Sequence, residues 1–121
     1  MTEESIKEFI KSYPDLKAKR DILDKIQNYS QNAEKDEEYS RITIKIQIIE
    51  SALEILKENE KKIVLWHLVD EKTWTEIEEL HEERAGTKYN YSNRTLKRMQ
   101  QNALKKMEAF LSKSGSQEYI S

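Results

Sequence analysis

The chain has 121 residues, 36% hydrophobic and 36% charged, with a formal net charge of −2. Its length sets one domain or two small helical units, and only 2 Gly and 1 Pro argue against a turn-rich β fold. The absence of Cys excludes disulfides and thiolate-held metals, and no signal peptide or apolar spanning run occurs, so a cytoplasmic protein with no membrane partner is expected.

Ile6, Phe9, Ile10 and Tyr13 follow the i, i+3, i+4, i+7 spacing of a short amphipathic helix. Pro14 disfavours helical geometry at Tyr13, so the helix ends or kinks there, and Pro14 can occupy the first turn of the next. Leu16, Ile22, Leu23, Ile26 and Tyr29 form a second apolar face, and Ser30-Gln-Asn-Ala33 reads as a break. A third helix is expected from about residue 34 to residue 57. Ile42, Ile44, Ile46 and Ile48 alternate as a strand would, yet Tyr39, Ile42, Ile46, Ile49, Leu53 and Leu56 keep a heptad spacing beyond them. Ile44, Ile48, Ala52 and Ile55 make an adjoining stripe, and no Gly or Pro bounds a strand, so helix is the reading. The seam has two possible uses, packing within the chain against residues 5–29 or a homodimer interface; both stay open. Residues 1–56 thus form an N-terminal helical region, a hairpin or coiled-coil-like unit for packing or oligomerisation.

From residue 57 the pattern changes. Ile63, Val64, Leu65, Trp66, Leu68 and Val69 mark a heavily buried helix ending near Asp70-Glu71. Thr73-x-x-Glu76 is a capping box that fixes the start of a helix whose stripe is Trp74, Ile77 and Leu80. Trp74 reads as core filler, whereas Thr73 and Thr75, at a helix N-terminus, are candidates for contact with a DNA phosphate. Gly86 is placed as the residue that ends this helix, and residues 87–91 lead to the next.

Ser92 is a good N-cap for the last long helix. Leu96, Met99, Ala103, Met107 and Phe110 share an apolar stripe, with Leu104 and Leu111 beside it. Arg94, Arg98, Gln101 and Lys105 fall on the opposite side at spacings 4, 3 and 4, with Lys97 and Asn102 flanking them. Residues 92–121 hold 6 Lys/Arg against 2 Asp/Glu, whereas residues 1–56 hold 9 against 12 and residues 57–91 hold 6 against 9. Positive charge is therefore concentrated on one helix, where a merely solvated face would mix signs. A stripe of Arg, Lys, Gln and Asn offers donors for base edges in the major groove and for phosphates. The candidate DNA-binding residues are Thr73, Thr75, Ser92, Asn93, Arg94, Thr95, Lys97, Arg98, Gln101, Lys105 and Lys106. Residues 114–121 are small and polar and are expected to be a disordered tail unless Tyr119 and Ile120 dock.

Four stretches carry a resemblance: Glu60-Lys-Lys-Ile63, Thr73-Trp-Thr-Glu-Ile77, Ser92-Asn-Arg-Thr-Leu-Lys-Arg98 and Ala103-Leu-Lys-Lys-Met107. They resemble region 4 of bacterial sigma factors, and most closely the phage late-transcription regulators of the ArpU/RinA type. The resemblance implies an all-α chain in which residues 57–113 form a helix-turn-helix DNA-binding domain. It also implies Arg94, Thr95 and Arg98 at the DNA, and a phage or prophage origin. One departure is the long connection His81–Tyr91 in place of a three- or four-residue turn.

Catalysis finds no motif. His67 and His81 are the only histidines, and no His-Glu-x-x-His, phosphate loop or nucleophile elbow occurs. His67 reads as a packing residue, and His81, Glu82 and Glu83 point apart on a helix. No enzyme activity, metal or cofactor is expected. The expected function is sequence-specific double-stranded DNA binding in transcription regulation. The alternatives are a sigma-like module that grips RNA polymerase and a DNA-packaging adaptor.

Overall fold

The computed structural model describes residues 2–27, 33–85 and 92–120, and among these every regular element is helical. The elements are α1 (Glu3–Lys11), α2 (Tyr13–Gln27), α3 (Ala33–Glu54), α4 (Glu58–Val64), α5 (Trp74–Ala85), α6 (Asn93–Lys113) and α7 (Gln117–Ile120). A single π-helical turn, Leu65–Val69, continues α4. None of the described helices is long and apolar enough to cross a membrane. Of the expected break Ser30-Gln-Asn-Ala33, Ala33 opens α3, whereas residues 30–32, Tyr29, Gly86 and residues 87–91 lie outside the described residues.

Local signals set most helix ends. Thr2 and Ser5 cap α1 reciprocally, each side chain meeting the other's backbone N–H. Ser12 closes α1, and its carbonyl accepts from Leu16 at 2.9 Å, so α2 begins at once with Pro14 inside its first turn. The isoleucine run is helical, as expected, but α3 stops at Glu54 rather than near residue 57. The Leu56 N–H turns back on the Leu53 carbonyl, and Lys57 takes the extended cap geometry that starts α4. Past the π turn, Glu71 adopts φ 56°, a left-handed conformation that halts the helix.

Three apolar clusters hold these helices. The largest joins Ile6, Phe9 and Ile10 of α1, Ile49, Ala52 and Leu53 of α3, and Ala103, Leu104, Met107 and Leu111 of α6. It draws on both sides of the boundary expected at residues 56/57, so the two regions share one core. A second cluster pins α2 to α3 through Leu23, Ile42 and Ile46, with Leu16 and Tyr39 against them. The third packs Ile63, Ile77 and Leu96, with Trp66, Trp74 and Met99 around them.

These clusters show what buries the heptad seam within the chain. Ile42, Ile46, Ile49, Leu53 and Leu56 are all buried within the chain and Tyr39 is half-buried. The seam expected to serve oligomerisation packs within the chain against α1, α2 and α6. Five large apolar side chains are thereby out of water within one chain, worth about 1.5–3 kcal/mol each, while Ile55 of the adjoining stripe stays 40% exposed. The tail also differs from a disordered one. Ser114 caps α6, Gly115 turns at φ 73°, and α7 brings Ile120 into the main cluster with 8% exposure. Arg41 of α3 lies 5.4 Å from the Tyr119 ring, so both residues whose docking could order the tail are engaged.

Candidate nucleic-acid interface

Helix α6 begins where the sequence sets it. Ser92 has extended geometry, and its hydroxyl accepts from the Thr95 N–H at 3.3 Å while the two hydroxyls meet at 3.1 Å. Both side chains are thus engaged in the cap. Thr95 and Asn93 are half-buried, whereas Ser92 is exposed. The start of α5 is built the same way: the Thr73 N–H donates to Glu76 at 3.2 Å and the Glu76 N–H to the Thr73 hydroxyl at 3.2 Å. The Thr73 backbone N–H, a hydrogen bond from the Thr73 side chain and the nearby Lys72 charge hold the Glu76 carboxyl below its usual range. Thr73 and Thr75 remain exposed on this first turn.

The outward face of α6 carries the charge. Arg94, Lys97, Arg98, Gln101, Asn102 and Lys105 are all exposed, while Leu96, Ala103, Leu104, Met107 and Leu111 are buried behind them. The only acid on α6 is the half-buried Glu108. The structure therefore brings Arg94, Lys97, Arg98, Gln101 and Lys105 onto one face with a basic balance. Guanidinium forks, an amide and ammonium groups at helical spacing can hydrogen-bond base edges and neutralise phosphates.

Lys106 is the exception among the basic residues. Its ammonium donates to both Glu60 carboxylate oxygens at 2.8 and 2.9 Å, tying α6 to α4. Glu60 also accepts from the Lys57 N–H at 3.0 Å. Burial pushes the Glu60 carboxyl up, but the Lys106 hydrogen bond, the Lys57 N–H and both charges outweigh it and hold it below its usual range. Lys106 is thus a latch, and its charge is largely spent inside the fold.

Four residues that local sequence patterns did not place at this face now adjoin it. Gln100 sits on the inner side of α6 with 5% exposure, and its Oε1 lies 2.6 Å from His67 Nδ1. The His67 ring stacks on Trp74, centroids 3.9 Å apart. The imidazole pKa is lowered: burial is the main cause, Gln100 opposes it, and Lys11, Lys7 and Lys97 add to it. A neutral imidazole that donates from Nδ1 fits that environment. Lys7 of α1 reaches the same place, since it lines one cleft with His67, Trp74, Lys97 and Gln101. A polar Gln at core spacing was a legible signal. The approach of α1 was not, because it depends on contacts some ninety residues apart in the chain.

Among the described residues no cluster of His, Cys, Asp and Glu could hold a metal. Comparison of this chain with protein families, curated proteins and solved structures finds no match.

Proposed function

We propose that the protein binds double-stranded DNA sequence-specifically and regulates transcription, with α5 and α6 acting as a helix-turn-helix. The observation that carries this reading is the exposed stripe Arg94, Lys97, Arg98, Gln101 and Lys105 on a helix whose back is anchored in two cores. In a chain of net charge −2, that concentration of cations gives a surface suited to a polyanion. The sequence resemblance supports the same roles for Arg94, Thr95 and Arg98 and suggests a phage late-transcription setting. Ser92 and Thr95 serve chiefly to build the helix start that aims these side chains. Thr73 and Thr75 stand at the exposed first turn of α5, where a phosphate can meet free N–H groups.

Selection of a preferred duplex from a random pool, followed by binding at fixed salt, tests the reading. Arg94→Ala and Arg98→Ala should each cost about 1–3 kcal/mol on the selected site and relax its sequence preference. Equal binding of selected and random duplexes, unchanged by both substitutions, would refute it. Capture of RNA polymerase by the same face under those conditions would favour the protein-interaction alternative.

A further inference from the structure

A cleft of about 630 Å³ lies between α1 and the basic face of α6. Lys97 and Gln101, one turn apart on α6, line one side of it, and Lys7 of α1 lines the other. Its floor is fixed: Gln100 is held by the His67 hydrogen bond, and His67 is held by the Trp74 stack. Neither Lys7 nor Lys97 is ion-paired among the described residues, whereas Lys11, one turn on from Lys7, leans on Glu8 at 3.6 Å. The burial of Ile6, Phe9 and Ile10 sets the position of α1, so Lys7 is delivered to the cleft by a packed helix.

We propose that Lys7 joins Lys97 and Gln101 to seat a backbone phosphate of the duplex, making the N-terminal helix part of the DNA interface. This rests on the DNA-binding reading of α6 and extends it to an element outside the last two long helices. Phosphate contacts of this kind fix register and orientation without reading sequence.

The cleft's own charges define which phosphate it takes. Glu3 and Glu4 also line it, so its fixed charges balance. A balanced cleft holds a free anion poorly. A phosphate already delivered by a duplex bound at Arg94, Arg98 and Lys105 arrives at high effective concentration and needs only local cations. The two glutamates then act as a repulsive rim that limits how far the duplex can slide toward the start of α1.

The test uses the full chain and a salt series on the selected and a random duplex. Lys7→Gln should reduce the magnitude of the slope of log K against log salt by about 0.9, equivalent to about eightfold in affinity near 0.1 M salt. The loss should be the same on both duplexes, and Lys7→Arg should restore the slope. Glu3→Gln with Glu4→Gln should raise affinity at low salt, with the gain fading as salt screens it. Titration with inorganic phosphate alone should give no saturable binding in the millimolar range. A wild-type slope and affinity in Lys7→Gln, with Arg98→Ala still impaired, would overturn the phosphate seat and leave the reading of α6 standing. Saturable inorganic phosphate binding that Lys7→Gln abolishes would overturn the assignment to DNA in favour of a free-anion site. No duplex binding by the wild-type chain would remove both proposals.

Discussion

Replacing Lys106 by Ala should damage the fold before it affects any ligand. The Glu60 side chain is only 9% exposed, and the Lys106 ammonium supplies two of its short hydrogen bonds. Without it, the carboxylate keeps the Lys57 N–H and little else. Removing one partner of a fully buried pair costs about 3–5 kcal/mol. Lys106 is itself 43% exposed, so water can replace part of what is lost; a cost of about 1–2 kcal/mol follows. For a chain of this size that lowers Tm by about 3–10 °C. Pairing Lys106→Met with Glu60→Met should recover most of the loss, because no charge is then stranded. The pH dependence has a definite sign. The Glu60 carboxyl is held below its unfolded value, so its contribution is present above about pH 4.3 and is lost as pH falls through the folded value. Thermal melts of the wild type and Lys106→Ala should therefore converge on acidification. If Lys106→Ala melts like the wild type while losing as much DNA affinity as Lys105→Ala, its ammonium serves a phosphate and the latch is wrong.

Three further outcomes are expected. Glu71→Gly should raise stability by about 0.5–1 kcal/mol, since glycine relieves the left-handed φ at some entropic cost, and urea denaturation that shows a loss would contradict the strain. His67 sits below its usual pKa, so folding favours the neutral ring: its contribution is complete above about pH 6.5 and is lost as pH falls from there through the lower folded value, and His67→Phe should flatten this part of a stability–pH curve. Ile46→Asp with Ile49→Asp should unfold the chain outright by circular dichroism, because two carboxylates enter a sealed core. A folded monomer in place of a wild-type dimer would restore the seam as an interface.

What the sequence made legible was local. The caps at Thr73 and Ser92 need only residues three apart, and their hydrogen bonds lie where the pattern sets them. The apolar stripe of α6 and the kink before Pro14 are likewise fixed within one or two turns. The heptad seam was legible as a buried face but not as to what buries it. Spacing reports that Ile46 and Ile49 leave water; only the long-range docking of α1, α2 and α6 shows which elements cover them. Lys106 illustrates the same limit at the candidate site. On a helical wheel it is one more cation beside Lys105, and its capture by Glu60, 46 residues away, changes its role. The tail was read from its small polar residues, and the docking of Ile120 depends on a core assembled elsewhere.

The two polar links act jointly on how α6 is held. At about 100° per residue, Gln100 lies about 120° to one side of Arg94 around the helix and Lys106 about 120° to the other. One is bonded to His67 on the π turn and the other to Glu60 on α4, so both links run to the same continuous helical segment. Apolar contacts hold α6 against its neighbours but are non-directional and resist rotation about its axis weakly. Hydrogen bonds depend on angle as well as distance. Two of them, on opposite flanks, resist rolling in both senses. On the proposed DNA-binding reading, a few tens of degrees of roll would carry Arg94 and Arg98 away from the bases, while leaving much of the stripe's attraction to phosphate intact. Under that proposal the pins bear on sequence discrimination more than on affinity, which gives a role to a polar glutamine and a paired lysine at positions that simple packing would give to apolar or freely solvated side chains.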